Sequence, residues 1–341
     1  MSPRICLVPR VSGVGGMVSF QHKLSTGLAA RGVDVCYDLD ERPYDAVLVI
    51  GGMRQLSKLR RVKRRGVPVV QRLDGINWIH RKRRISWRHT LRAESGNIVL
   101  STIRRYLANQ IVYQSEFSRL WWEDWYKPTR VAYSVIHNGV DLGLYSPDGP
   151  GQRPPDRYRL LVVEGSLGGG YDLGLESAVK LAELLSVQHG FPMELMLVGK
   201  VSQAQQAEWS SHSRVPIIWS GQVPHESIPQ IDRSAHILFS GDLHPACPNS
   251  VIEALACGLP VVAFNTGALS ELVPASAGRV VPYGGDPWNL DPPDMISLAD
   301  AAAEILHDLP KFQAGARAHA TSALGLDNMV ERYLEVLLPG G

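Results

Sequence analysis

His244–Val273 reads HPACPNSVIEALACGLPVVAFNTGALSELV, and the rest of the chain can be placed around it. The middle, NSVIEALACG, has the pattern of one short helix. Pro248 and Asn249 supply an entry turn and an N-cap residue, and Gly258 supplies the stop. Val261-Val262-Ala263-Phe264 then has the composition of a buried strand, Asn265–Gly267 a turn, and Leu269–Val273 the start of another short element. A loop ending on a helix N-terminus presents unpaired amides and the positive end of the helix dipole, which suits a phosphate. The amides of Asn249 and Ser250 stand there, and Glu253, one turn on, is placed to accept hydrogen bonds from two sugar hydroxyls. Together these describe a nucleotide-diphosphate pocket. The plainer alternative is an ordinary capped helix whose early glutamate compensates the dipole.

The chain has 341 residues, enough for two domains with a core each. A hydrophobic content of 45% with 20% charged residues is that of a globular protein in water. The formal net charge of +2 hides an asymmetry: residues 1–150 hold 24 Lys and Arg against 12 Asp and Glu, and the remainder 11 against 21. Cys6, Cys36, Cys247 and Cys257 form no CxxC pair and no zinc spacing, so all four are expected reduced, and no metal site is expected. No apolar run is long enough to span a bilayer, and the N-terminus enters directly into a strand at Ile5–Val8, so no signal peptide is expected. These features predict a cytoplasmic location.

From the N-terminus, Arg4–Val8 reads as a strand, Pro9–Gly16 as a loop with glycines at 13, 15 and 16, and Met17–Arg31 as a helix: the opening of a βαβ unit. The glycines do not spell the dinucleotide fingerprint, yet they permit a backbone to approach a ligand closely. A simple tight turn is the alternative. Further strands are predicted at Val33–Tyr37, Ala46–Ile50 and Val67–Arg72, the last delivering Asp74-Gly75 to a strand's carboxyl end, where open α/β sheets bind ligands. Two basic runs follow these strands, Lys58–Arg65 and His80–Arg84, the latter continued by Trp87, Arg88 and Arg92. They read as solvated faces, or as a surface for an anionic membrane or a phosphate-bearing lipid acceptor; nucleic acid is not expected, since no motif for it accompanies the charge. Trp121, Trp122, Trp125 and Tyr126 are expected to pack rather than to stack on sugar. Pro147–Pro155 is dense in proline and glycine and reads as a linker. Domains are therefore expected at 1–150 and 151–325, with a closing amphipathic helix at 326–341.

EALACGLPVVAFNTGALSELV resembles the donor-binding signature of retaining glycosyltransferases of family 4. Val135–Asp141 (VIHNGVD) is similar to that family's domain junction, Gly15-Gly16 to its N-terminal glycine loop, and Ile111–Arg119 to its late N-terminal strand and turn. The resemblance implies an α/β fold of two doubly wound Rossmann-like domains facing across a cleft (GT-B). It implies a retaining, metal-independent hexosyltransferase of the polysaccharide-biosynthesis kind that uses no cofactor. Its donor would be a nucleotide diphosphate sugar and its acceptor a glycan or a lipid-linked molecule, reached at the inner face of the cell membrane. Gly221, Gln222 and Val223 are similar to the turn that holds the base, and the closing helix would pack back on the N-terminal domain.

The chain departs from the family at three places. Where the family has an acid eight positions before the glutamate, this chain has Pro245, with Asp242 and His244 the nearest replacements. Where it has an arginine and a lysine to neutralise the leaving diphosphate, this chain has Ser166 after Gly165, and Tyr171. The substitutes on offer are the amides around Gly169 as an anion nest, Lys200, or an arginine of the N-terminal half. The family's N-terminal histidine has no clear equivalent among Arg72, Asp74, Asn77 and His80; Asp74 is the candidate polar group at the reaction centre, unless it serves only an Asx turn before Gly75. The competing expectation is a catalytically silent, glycosyltransferase-like binding protein.

Overall fold

The apolar runs of the N-terminal half become strands buried along their length, because helices cover both faces of the sheet they build. The computed structural model describes residues 2–13, 15–83, 86–167 and 172–339, and divides the chain into two units, Met1–Gly139 with Leu326–Gly341, and Val140–Gly325. In chain order the first unit runs β1 (Arg4–Val8), α1 (Gly16–Ala29), β2 (Asp34–Cys36), β3 (Ala46–Ile50), α2 (Leu56–Arg64), β4 (Val69–Leu73), α3 (Trp87–Thr102), β5 (Gln110–Tyr113), α4 (Glu116–Tyr126) and β6 (Ala132–Val135). The sheet order is β2-β1-β3-β4-β5-β6, with every pairing parallel. β1 lies between β2 and β3, so the strand order reverses there. The open crevice of such a sheet falls at that point, beyond the carboxyl end of β1.

The second unit repeats the plan. It runs β7 (Tyr158–Ser166), α5 (Asp172–Val187), β8 (Met193–Lys200), α6 (Gln203–His212), β9 (Ile217–Gly221), α7 (Ile228–Arg233), β10 (Ile237–Ser240), α8 (Asn249–Ala256), β11 (Val261–Phe264), α9 (Leu269–Leu272), β12 (Gly278–Val281), α10 (Met295–His307) and α11 (Leu309–Ala323). Its parallel sheet has the order β12-β11-β10-β7-β8-β9, reversing at β7.

The last helix, α12 (Leu326–Leu337), belongs to the first unit. Met329, Val330, Tyr333 and Leu337 are buried with Phe20, Leu24 and Leu28 of α1, at about 2 kcal/mol per fully buried side chain. Gly27 makes room for this contact, since a Cβ there would come within 2.5 Å of Val330 Cγ2. Arg31 holds the outer edge through Asp327 and Glu331.

The unit boundary at Gly139–Val140 precedes the expected break at residue 150, for a visible reason. The proline- and glycine-rich segment is fastened to the second unit by arginines: Arg317 donates to the carbonyls of Leu142 and Tyr145, and Arg233 to those of Ser146 and Pro150. The tryptophans of α4 pack as expected, Trp121 and Trp122 being buried. Among the described residues no helix is long and apolar enough to cross a membrane.

Candidate active site

The decisive stretch folds nearly as its residues suggest. α8 opens after Pro248, which takes the N-cap position with extended dihedrals, and Asn249 is the first helical residue rather than the cap. Proline's fixed φ already directs the chain into the helix, so the asparagine side chain is not needed to start it. Pro245 holds the preceding loop: its carbonyl accepts from Ala268 N at 2.8 Å, and Gly267, at φ +59, leaves the space the proline occupies. The N-terminus of α8, with Asn249 and Ser250 half-buried, thus stands at the carboxyl end of β10.

Glu253 lies deeper than a surface ribose contact requires. It is 4% exposed, and its Oε1 meets His225 Nε2 at 3.2 Å. The Tyr145 hydroxyl approaches the same His225 nitrogen at 3.2 Å. Burial, and then the charge of Glu253, push the Tyr145 phenol upward, so it stays protonated. The same two causes hold the buried Asp232 carboxyl well above the usual range. Tyr145, Asp232 and Glu253 thus form one buried cluster, and His225, half exposed, meets Glu253 at its edge.

A second carboxylate pair stands on the same rim. Glu164, near the end of β7, and Asp242, just after β10, lie on neighbouring strands. Burial raises both carboxyls, Glu164 to about 8, with the charge of Asp242 contributing, and Asp242 to about 6. The pair therefore holds one proton at neutral pH. His244 sits beside it at φ +59, buried, its ring stacked on Trp288 at 3.5 Å and 11°. Burial lowers His244 to about 4, so the imidazole is neutral.

The remaining candidates spread along both rims. Gly165 is exposed where β7 breaks register with β8, and Ser166 pairs with Lys200, itself exposed at the end of β8. Gly221 ends edge strand β9 at φ +63, followed by exposed Gln222 and half-buried Val223. Gly169 and Tyr171 lie outside the described residues. In the first unit Gly15, at φ +136, precedes Gly16 at the start of α1. Asp74 follows β4; its carbonyl accepts from Trp122 Nε1 at 2.8 Å, and burial raises its carboxyl against the opposing charge of Arg72. Among the described residues no group of three or more His, Cys, Asp or Glu is arranged to hold a metal ion.

Sequence reading missed three of these groups. Glu164 had a readable signal, a single carboxylate ending the apolar strand LLVVEG. His225 and Tyr145 had none, since both come to Glu253 only through the fold.

Two parallel six-stranded α/β units of this kind define the class: the chain has the GT-B fold of glycosyltransferases. Residues 161–308, within the second unit, match the family model described as Glycosyl transferases group 1. The chain is similar to the solved structure of sucrose-phosphate synthase from Thermosynechococcus elongatus, with 16% identity, a TM-score of 0.74 and 98% of each chain covered. It is similar to WaaG, a glycosyltransferase involved in lipopolysaccharide biosynthesis, with 15% identity, a TM-score of 0.72, and 99% of this chain and 100% of that one covered. Anabaena Alr3699/HepE, solved in complex with UDP-glucose, matches at 16% identity and a TM-score of 0.68, over 98% of this chain and 99% of that one. At such identities the likeness shows the fold. A curated relative, the 2-deoxystreptamine N-acetyl-D-glucosaminyltransferase of Streptomyces fradiae, is 26% identical over 121 residues, which span 35% of this chain and 27% of that protein.

Proposed function

We propose that the chain is a glycosyltransferase that moves a sugar, with retention and without a bound metal, from a nucleotide diphosphate sugar to a glycan or lipid-linked acceptor. The observation that carries this reading is α8: an uncapped helix N-terminus at a strand's carboxyl end, with Glu253 one turn inside it, all within the span that matches the group 1 model. The opening amides of α8 would take the diphosphate, and Gly221–Val223 the base. Glu253 would take the ribose hydroxyls, with His225 sharing the carboxylate or moving aside. In place of the family's acid at position 245, the Glu164–Asp242 pair would face the sugar, its retained proton leaving one donor and several acceptors for hydroxyl groups. Lys200 is the cation of this unit nearest Gly165 and Ser166 in register, and would face the leaving group.

The first unit would take the acceptor. Part of its basic surface is internal: Lys58 pairs with Asp40, Lys63 donates to two carbonyls, and Arg81 pairs with Glu94. Arg60, Arg61, Arg64 and Arg65 are exposed. On α3, Trp87, Leu91 and Ile98 are each about 60% exposed or more, beside Arg88 and Arg92. Apolar side chains among arginines suit the headgroup layer of an anionic membrane, and we place a peripheral, cytoplasmic-face association there.

The test is thermal. UDP, GDP or ADP at millimolar concentration should raise the melting temperature through linkage, by about 2.7 kcal/mol of stability at a hundredfold excess over Kd. Glu253→Ala should abolish that response. Indifference of the wild type to all three nucleotides would favour a silent scaffold.

A further inference from the structure

The chain between β12 and α10, residues 282–294, reads PYGGDPWNLDPPD and carries one tryptophan, three aspartates and no Lys, Arg or His. Hydrogen bonds within the segment fix its course. Tyr283 anchors it in the core, its ring against Phe264 and its hydroxyl donating to Asp291 O at 2.8 Å. The Asp291 carboxylate accepts from Asp286 N at 2.9 Å. Asp286 in turn accepts from Trp288 N at 2.9 Å and from Asn289 Nδ2 at 2.7 Å. The backbone of Trp288 is thus held independently of its ring.

That ring lies nearly parallel to His244, with centroids 3.5 Å apart and 11° between the planes. Among the described residues three that are not glycine take the left-handed backbone: Lys127, His244 and Leu290. Two of the three flank this one stack, and such conformations cost energy that the surrounding structure has to offset. His244 is 5% exposed, whereas Trp288 is half-buried. One face of the indole is therefore taken by the imidazole, and solvent reaches the ring from its other face or its edge. Packing alone favours burying an indole rather than leaving it half in water. Burial lowers His244 to about 4, against the Pro287 backbone and the charge of Asp286, so the supporting imidazole is neutral. A neutral support leaves the outer face of the indole electron-rich, as a cationic one would not.

The neighbouring charges narrow what that face can take. Asp242 stands two residues before His244, and Asp286 and Asp291 stand on the loop itself. Carboxylates repel a phosphate, and each of their oxygens has lone pairs to offer to hydroxyl groups. A pyranose supplies both complements: C–H bonds on its faces for an electron-rich ring, and hydroxyls around its rim for carboxylates.

We propose that Trp288, backed by His244, is a stacking platform for a pyranose ring. The ring is that of the transferred sugar or of a glycan acceptor; only this attribution rests on the proposed function.

Saturation-transfer NMR with the methyl glycosides of glucose, galactose and N-acetylglucosamine tests it. Saturating the aromatic protons of the wild type should mark the ring C–H protons of at least one glycoside. Trp288→Phe keeps a flat ring and should retain the contact. Trp288→Leu keeps apolar bulk without a π face and should bind about tenfold more weakly. A packing role would instead be met by Leu as well as by Phe. The indole N–H resonance that disappears in Trp288→Phe identifies Trp288 in the wild type, and it should shift as glycoside is added. An unmarked panel of glycosides, a Trp288 resonance that stays still, or a folded Trp288→Leu that binds as the wild type does would overturn the proposal. The nucleotide that stabilises the wild type is then compared with its glucose, galactose and N-acetylglucosamine conjugates. A conjugate that binds more tightly than the bare nucleotide, by a margin that Trp288→Leu removes, assigns the platform to the transferred sugar; conjugates without that margin assign it to the acceptor. If Trp288→Leu weakens the bare nucleotide equally, the indole stacks a base and the proposal fails. A Trp288-dependent glycoside contact in a protein that ignores nucleotides would leave the platform standing and remove the nucleotide-sugar reading.

Discussion

The rims of the two sheets invite comparison, because the same architecture carries opposite electrostatics. Each sheet is parallel, six-stranded, and reverses its order at its first strand, so each opens a crevice at the same topological place. At the second rim stand the half-buried carboxyl groups of Glu164 and Asp242 and the buried ones of Glu253 and Asp232. At the first stands the buried guanidinium of Arg72, with the Asp74 carboxyl in its field. Strand and helix geometry place both crevices, while buried charge decides what each can hold. One gathers carboxyl groups, the other a guanidinium.

The largest expected effect is the loss of the nucleotide response in Glu253→Ala. Next comes the pH dependence of stability. The Glu164–Asp242 pair keeps a proton in the folded state up to about 8, against the ordinary 4.5 of a glutamate. The folded chain then binds more protons than the unfolded one, so this contribution is present at low pH and is lost as pH rises through the folded value. Below pH 6.5 the trend is opposed by His236 and His244, both lowered to about 4 by burial, which favour the folded state as pH rises. Between pH 6.5 and 8 the carboxylate pair stands apart from them. There the wild type should lose on the order of 1–2 kcal/mol relative to Glu164→Gln in denaturant titrations, and parallel curves would show that the pair is ionised throughout.

Gly27→Ala probes the first unit by packing instead of charge. Its methyl would collide with Val330 and loosen α12 from α1, at a cost of about 1–3 kcal/mol in unfolding experiments, with the nucleotide response intact. Smallest in stability terms is Trp87→Glu with Leu91→Glu on exposed α3, within about 0.5 kcal/mol of the wild type. That double variant should nevertheless float less with anionic vesicles than the wild type does. Equal flotation with neutral and anionic vesicles would remove the membrane from the account of the first unit.

Much of this was legible residue by residue. Val261–Phe264 and Asn249–Ala256 form the elements their pattern predicts, because an apolar run closed by Gly258 and opened by proline leaves the backbone few choices. α2 was harder to read: five of its nine residues are basic, and only Leu59 and Val62 mark its buried side. The alanine-rich α11 and the short edge strand β12 likewise carry little periodicity of their own. At the site, Glu253 was identifiable from its place in the helix, but its burial beneath His225 was not.

The amino-acid sequence by itself determined the elements, their alternation and the division of charge between a basic half and an acidic one, since these follow from local composition and periodicity. Only the tertiary structure decided which ionisable groups lose water, and beside what. Glu164 meets Asp242, and Arg72 meets Phe20 and Asn138, across separations that no local pattern encodes. Desolvation depends on everything packed around a group, and that packing exists only once the chain has folded.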